Sequence, residues 1–292
     1  MPIVSVVIPA NNEKYLQQTI SSILGSCARE IEIIAVLDGY WPDPPIQDDK
    51  RVTLIHHSES RGQRQAINEA AKIARGKYIL KTDAHSMFDQ GFDVKLAEDC
   101  EYDWTVIPTM INLDAEKWQP KWGKKTDFMW IRSPEAKDKP FRHCYWDGRC
   151  AKEYPELYRL HKKMDYRKGD ICDVMTGQGA CFFMHLDRFW ELGGMDEKHG
   201  SWGAMGVEVA LKAWLSGGSH KVNKKTWFSH WFRGGGGPGF PYKISGSDQH
   251  KARKYSIDFW MNNRWALQTR PIKWLVDKFA PLPTWGDTCS QS

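Results

Sequence analysis

Asp83 and His85 stand two residues apart at the end of KYILKTDAHSMF (77–88), where an apolar run meets an acid and an imidazole. Side chains two apart along an extended chain share one face. The pair is therefore either a surface hydrogen bond or two ligands of one metal ion, and the local residues leave both open. His143, Cys144, Cys150 and His161 also have zinc-binding side chains, but their spacing matches no familiar finger. Other polar residues recur where apolar runs stop: Asn12 and Glu13, Asp38, Asp43, and Arg61.

The elements that must position these residues can be read from periodicity. IVSVVI (3–8), IEIIAVLD (31–38), RVTLIHH (51–57) and KYILKTD (77–83) read as strands. YLQQTISSILGS, stopping at Gly25, and GQRQAINEAAKIARG (62–76) read as amphipathic helices. Strands alternating with helices predict a mixed, mostly parallel α/β sheet flanked by helices, with ligands beyond the carboxyl ends of the strands. Asn12, Glu13, Asp38, Asp43, Arg61 and Asp83 all fall at those ends. WTVIPTM (104–110) reads as a further strand, and the stretch from about 110 to 170 as an irregular, Trp-rich insertion. Gly177 and Gly179 turn the chain into a short strand, with a helix from near Asp187 and another over 206–218. WFSHWFR starts a strand at Trp227 that breaks into four glycines, expected to be a lid. A helix over roughly 254–268 and a Pro/Trp-rich tail close the chain. The expected organisation is one catalytic domain, 1–235, with 236–292 as lid, helix and tail packed on it.

Composition narrows the function. No segment approaches the roughly 20 apolar residues of a membrane helix, and there is neither a P-loop nor a G-x-G-x-x-G after the first strand. Seven scattered cysteines without a C-x-x-C pair argue against a disulfide framework and for a reducing compartment, hence a cytoplasmic protein. The net charge is only +5, but KWGKK (121–125), YRLHKKMDYRK (158–168), HKVNKK (220–225) and HKARKY (250–255) interleave cations with rings in a chain holding fifteen tryptophans. Such runs are either solvated faces or a surface for a polyanion.

VSVVIPANNEKYLQQTISSIL, VLDGYWPD and RGQRQAINEAAKIARGKYILKTDAH together resemble the nucleotide-binding half of a GT-A fold, family-2-like glycosyltransferase. MTGQGACFFMHLDRFWELGGMDEKHGSWGAMGVEVALKAWLSGG and SHWFR are similar to the polypeptide N-acetylgalactosaminyltransferase segments carrying W-G-G-E-N…E…W-x-x-G-G and G-H-V-F-R. IDFWMNNRW echoes the helix that follows in that family. The resemblance spans nearly the whole chain except about 110–170 and the tail. It implies that Asp83, His85 and His230 hold Mn²⁺ or Mg²⁺. It implies further that Pro9, Asn11, Glu13, Asp38, Arg61, Asp83, Gly177 and Arg233 bind a UDP-sugar, with Asp38 on the uracil edge.

Met205 and Gly206 replace the acidic residues that such enzymes carry in the WGAMG segment. Glu208, one turn later, and Trp202 are then the candidate catalytic residues, and a missing base fits a retaining reaction. The expected acceptor is a 5-hydroxymethylpyrimidine in bacteriophage-type DNA, flipped into an aromatic cradle. The alternatives are Ser/Thr of a protein or a growing glycan, and a catalytically inactive module that binds nucleic acid or glycan.

Overall fold

The computed structural model describes residues 2–145, 148–233, 239 and 246–286. Its first third alternates as the periodicity predicts: β1 (Val4–Ala10), α1 (Leu16–Ser26), β2 (Ile31–Asp38), β3 (Val52–His57), α2 (Gln63–Ile73) and β4 (Tyr78–Thr82). Along β1, Val4, Val6 and Ile8 enter one core cluster and Val7 the other. A strand buried on both faces reads as an unbroken apolar run. Helix α1 does not stop at Gly25 but continues to Ser26. A Cβ on Gly25 would meet nothing within 4 Å, so the position is solvent-facing and costs helix propensity only.

Strand β4 ends at Thr82, and Asp83–His85 form the bend into β5 (Ser86–Phe88). After α3 (Phe92–Glu98) comes the long β6 (Trp104–Asp114), antiparallel to β7 (Gln119–Thr126). β8 (Met129–Ile131) and β9 (His143–Tyr145) form a separate two-stranded sheet, followed by α4 (Gly148–Glu153) and α5 (Pro155–His161). The stretch expected to be irregular thus carries regular elements. β7 is exposed at nearly every position, so it lacks the polar–apolar alternation by which a strand is recognised.

The chain then adds β10 (Ile171–Asp173), β11 (Cys181–His185), α6 (Leu186–Glu191), α7 (Met205–Leu215), β12 (Ser219–His230), α8 (Gly246–Met261) and α9 (Ile272–Phe279). Three expectations change here. β12 begins eight residues before Trp227, α8 lies earlier than 254–268, and the supposed tail contains α9 with Leu275 and Phe279 in the core. The glycine-rich run expected as a lid, 234–242, lies outside the described residues apart from Gly239.

Ten described strands make one sheet in the order β10-β12-β6-β11-β4-β1-β2-β3, with β5 beside β12 and β7 beside β6. The expected mixed α/β sheet is present. Parallel pairing is confined to the β3–β2–β1–β4 half and to the β6–β12 pair. One buried cluster joins the sheet to α2, α7 and α9, and the other joins it to α1 and α3. Among the described residues no helix is long and apolar enough to cross a membrane.

Candidate functional site

A cavity of about 1150 Å³ opens at the carboxyl ends of β1, β2 and β4, where sheets of this kind bind ligands. Pro9, Asn11, Glu13 and Asp38 line it from the first two strand ends. Asp83 and His85 enter from the bend after β4, Trp202 from the loop before α7, and His230 and Arg233 from the end of β12. Arg61, Gly177 and Glu208 do not reach its wall.

Strand pairing, rather than alternation, brings the metal-capable side chains together. β5 runs antiparallel to β12 with His230 opposite Ser86, which sets His230 beside the Asp83–His85 bend. One ligand atom from each of Asp83, His85 and His230 lies within 4.8 Å of the others. Asp83 Oδ1 accepts from Gln63 Nε2 at 3.0 Å and from the Lys81 ammonium, while Oδ2 faces His230 Nε2 at 3.2 Å. His85 Nδ1 lies 3.2 Å from Glu13 Oε2, an outer carboxylate of the kind that orients a ligating imidazole. Burial opposes ionisation of Asp83, but Lys81 and His230 outweigh it and hold the carboxyl well below the usual carboxylate range. Burial pushes His230 down to about 4, so its ring is neutral at neutral pH and its Nδ1 is buried without a partner. An ionised carboxylate and imidazole nitrogens suit a divalent ion such as Mn²⁺, and the donor set fits one.

The residues at the ends of β1 and β2 are tied together by their own hydrogen bonds. Asp38, 3% exposed, accepts from Arg61 N at 2.7 Å and faces His57 Nδ1 at 2.8 Å through Oδ1. Its Oδ2 accepts from Ser60 Oγ at 2.8 Å and Gly62 N at 2.9 Å. A carboxylate offers about four acceptor positions, and all four are used, three to hold the 60–62 loop and one by His57. Burial acts to raise the Asp38 carboxyl, and these hydrogen bonds lower it overall. The expected Asp38 contact with uracil therefore meets a carboxylate already engaged. Asn11 Nδ2 donates to Ser60 Oγ at 3.0 Å, extending the same chain. Arg233, 6% exposed, ion-pairs Glu13 and stacks over Trp231, yet its Nε and Nη1 are buried without partners among the described residues.

The other sequence candidates lie away from the cavity for identifiable reasons. Arg61 turns outward to Glu69 at 3.2 Å. Gly177 packs against α7, where a Cβ on Gly206 would meet the Gly177 carbonyl at 2.0 Å; Gln178 and Gly179 line the wall instead. Asp43 sits exposed in the segment after β2. Glu208 is fully buried against Arg64 at 2.7 Å and Lys212 at 3.1 Å, and accepts from Asp196 N at 2.7 Å. Burial opposes its ionisation, but Arg64 and Lys212 bring it down to about 2. Glu208 is thus a held anion beneath the site, not a base within it.

The zinc-type set does not assemble among the described residues. His161 faces Tyr166 Oη with one nitrogen and the Pro281 carbonyl at 2.6 Å with the other. Cys144 Sγ accepts from Arg132, and the Cys150 side chain lies outside the described residues. The basic runs are also largely spent. HKVNKK is part of β12, where Lys221 pairs with Asp173, Lys225 with Asp99, and Lys224 Nζ donates to the Arg167 carbonyl at 2.8 Å. Lys168 pairs with Asp165 and Arg167 with Asp127. The run within β12 and the end of the 158–168 run are thus engaged by neighbouring groups.

Comparison with known proteins places this geometry. The model of the family described as "Glycosyl transferase family 2" matches residues 5–151. N-acetylgalactosaminyltransferase 4 of Drosophila melanogaster is 26% identical, over 80% of this chain and 36% of its own length. Polypeptide N-acetylgalactosaminyltransferase 8 of the same organism is 25% identical, over 87% of this chain and 42% of its own. The chain spans about half the length, or less, of the curated relatives it matches. Among solved structures, GalNAc-T7 with UDP, GalNAc and Mn²⁺ superposes with a TM-score of 0.62 at 17% identity, over 89% of this chain and 49% of that one. That likeness shows a shared GT-A fold.

Proposed function

The chain belongs to glycosyl transferase family 2, and from that premise we propose that it moves a sugar from a UDP-sugar to a hydroxyl acceptor. The observation that carries the reading is the Asp83, His85 and His230 set in a cavity at the strand ends. These three residues would hold Mn²⁺ or Mg²⁺. The ion's chemistry there is to offset the charge that grows on the leaving diphosphate. Lys81 and Gln63 keep Asp83 ionised and oriented, and Glu13 orients the His85 ring. Arg233, with two buried guanidinium nitrogens lacking partners, is our candidate for a diphosphate oxygen. The 60–62 loop fixed by Asp38 shapes the nucleotide end, with Pro9 and Asn11 beside it. Trp202 forms the sugar-side wall.

Retention of configuration is the stereochemistry the site favours. Met205 and Gly206 stand where an acidic base would act, and Glu208 is locked away. In the retaining step the acceptor oxygen bonds to the anomeric carbon as the carbon–phosphate oxygen bond breaks, and the departing phosphate takes the acceptor proton. For the acceptor we read a Ser or Thr hydroxyl of a polypeptide, supported by relatives named as polypeptide transferases. Elongation of a glycan is the second reading. Hydroxymethylated DNA has less support, since the relatives act on other acceptors by name and two of the basic runs are engaged by neighbours, and an inactive module leaves the metal-capable set unused.

The test is UDP release from a panel of UDP-sugars in Mn²⁺, with Thr peptides, a glycan and hydroxymethylated DNA as acceptors. Chelator-sensitive transfer to peptide, with an α-linked product from an α-linked donor by NMR, is the expected result. Release without metal, or inversion at the anomeric carbon, would overturn the respective part.

A further inference from the structure

The cavity has a second wall that the donor does not account for. The β8–β9 hairpin belongs to its own sheet, and it and its connecting loop face the cavity through Trp130, Lys139, Arg142, His143 and Tyr145. The cavity's 1150 Å³ exceeds the ~300–1,000 Å³ of a typical small-ligand site, so a nucleotide sugar leaves room beside this wall. The loop is shaped for display. Lys139 and Phe141 adopt φ of 47° and 52°, a region that bulky side chains seldom occupy. Phe141 is driven to 1% exposure in the core, anchoring the loop between the two cations. Arg132 ties its ends, donating to the Asp138 carbonyl at 2.9 Å and to Cys144 Sγ.

Among the described residues, neither the Lys139 nor the Arg142 side chain has an ion-pair partner, although both line the cavity. His143 Nδ1, next to them, is buried without a hydrogen bond. The acid on that side, Glu153, already has an interaction of its own. Two cations without ion-pair partners on one wall create a local demand for an oxyanion. The donor diphosphate has its partners elsewhere, at the metal-capable set and Arg233.

We propose that this wall receives the acceptor and selects an acidic peptide, one whose Ser or Thr is flanked by Asp or Glu, through Lys139 and Arg142. The inference rests on the transferase reading above and names its acceptor. Guanidinium and ammonium groups bond the flanking carboxylates, while the Tyr145 ring covers an apolar part of the peptide.

Three peptides of equal length, each with one Thr flanked by Asp, by Asn or by Lys, separate the possibilities when kcat/KM is measured with the full chain and Mn²⁺. The expected order is Asp, then Asn, then Lys, with the Asp peptide ahead of the Asn peptide by about tenfold and the gap narrowing in high salt. In the Lys139→Gln/Arg142→Gln variant the Asp-to-Asn ratio falls toward one. In Arg142→Glu the preference moves to the Lys-flanked peptide, a gain that misfolding cannot produce. Acceptor-independent UDP release by the wild type is followed in parallel. If that release is absent, the transferase reading falls and this inference with it. If it is present but the Asp peptide is unused or no better than the Asn peptide, the inference alone falls. Use of a uronate glycan in place of the peptide overturns it equally.

Discussion

Both oxygens of Glu208 are committed, Oε2 to Arg64 Nε at 2.7 Å and Oε1 to Asp196 N at 2.7 Å, in a position with no solvent exposure. Arg64 spends its remaining nitrogens on the Gly200 and Gly203 carbonyls, so the pair holds the loop that carries Trp202 into the cavity. Removing one member of such a buried pair strands the other charge, at a cost of about 3–5 kcal/mol. Glu208→Gln should therefore lower the urea midpoint sharply. Normal stability with lost kcat would instead mark Glu208 as the base. The partnership is invisible in sequence because Arg64 lies 144 residues away. Lys81 is the opposite case. The alternation that relates Asp83 to His85 also puts Lys81 on the Asp83 face, but inside an apolar run a lone lysine reads as an exposed exception. In the structure it is completely buried, donating to Asp83 and to the Gly179 carbonyl at 2.6 Å.

Among elements, the third metal-capable residue depends on a pairing that periodicity cannot predict. His230 meets the Asp83–His85 bend because the three-residue β5 crosses to β12, and so short a strand leaves no pattern to read. The β1–α1–β2 and α2–β4 units were legible because each is buried on one or both faces and repeats its apolar residues accordingly. Exposed β7 and the α9 hidden in the Pro/Trp-rich tail were not. Packing of α7 against the Gln178–Gly179 wall gives an element-scale prediction. A Cβ on Gly206 would sit 2.0 Å from the Gly177 carbonyl and 2.9 Å from Gly179 N, both backbone atoms, whereas one on Gly25 would meet nothing within 4 Å. Gly206→Ala should destabilise the protein by about 1–3 kcal/mol or more and displace the wall at Met205. Gly25→Ala in the exposed part of α1 should be neutral or stabilising by up to ~1 kcal/mol. Thermal unfolding of the two variants decides this, and equal melting temperatures would refute the packing argument.

At the scale of the molecule, one sheet supplies the strand-end residues Pro9, Asn11 and Asp38, the metal-capable residues and Arg233, while the small β8–β9 sheet lines the cavity from the other side. Everything proposed for this protein depends on Asp83, His85 and His230 acting as one metal site, and Mn²⁺ binding read by electron paramagnetic resonance in the presence of UDP tests that directly. The wild type should take up one Mn²⁺ per chain. Asp83→Ala and His230→Ala should each lose more affinity than the about 10–100-fold that follows loss of an outer-shell partner, while His143→Ala binds like the wild type. Unchanged Mn²⁺ binding in the Asp83 and His230 variants, or none in the wild type, would contradict the account.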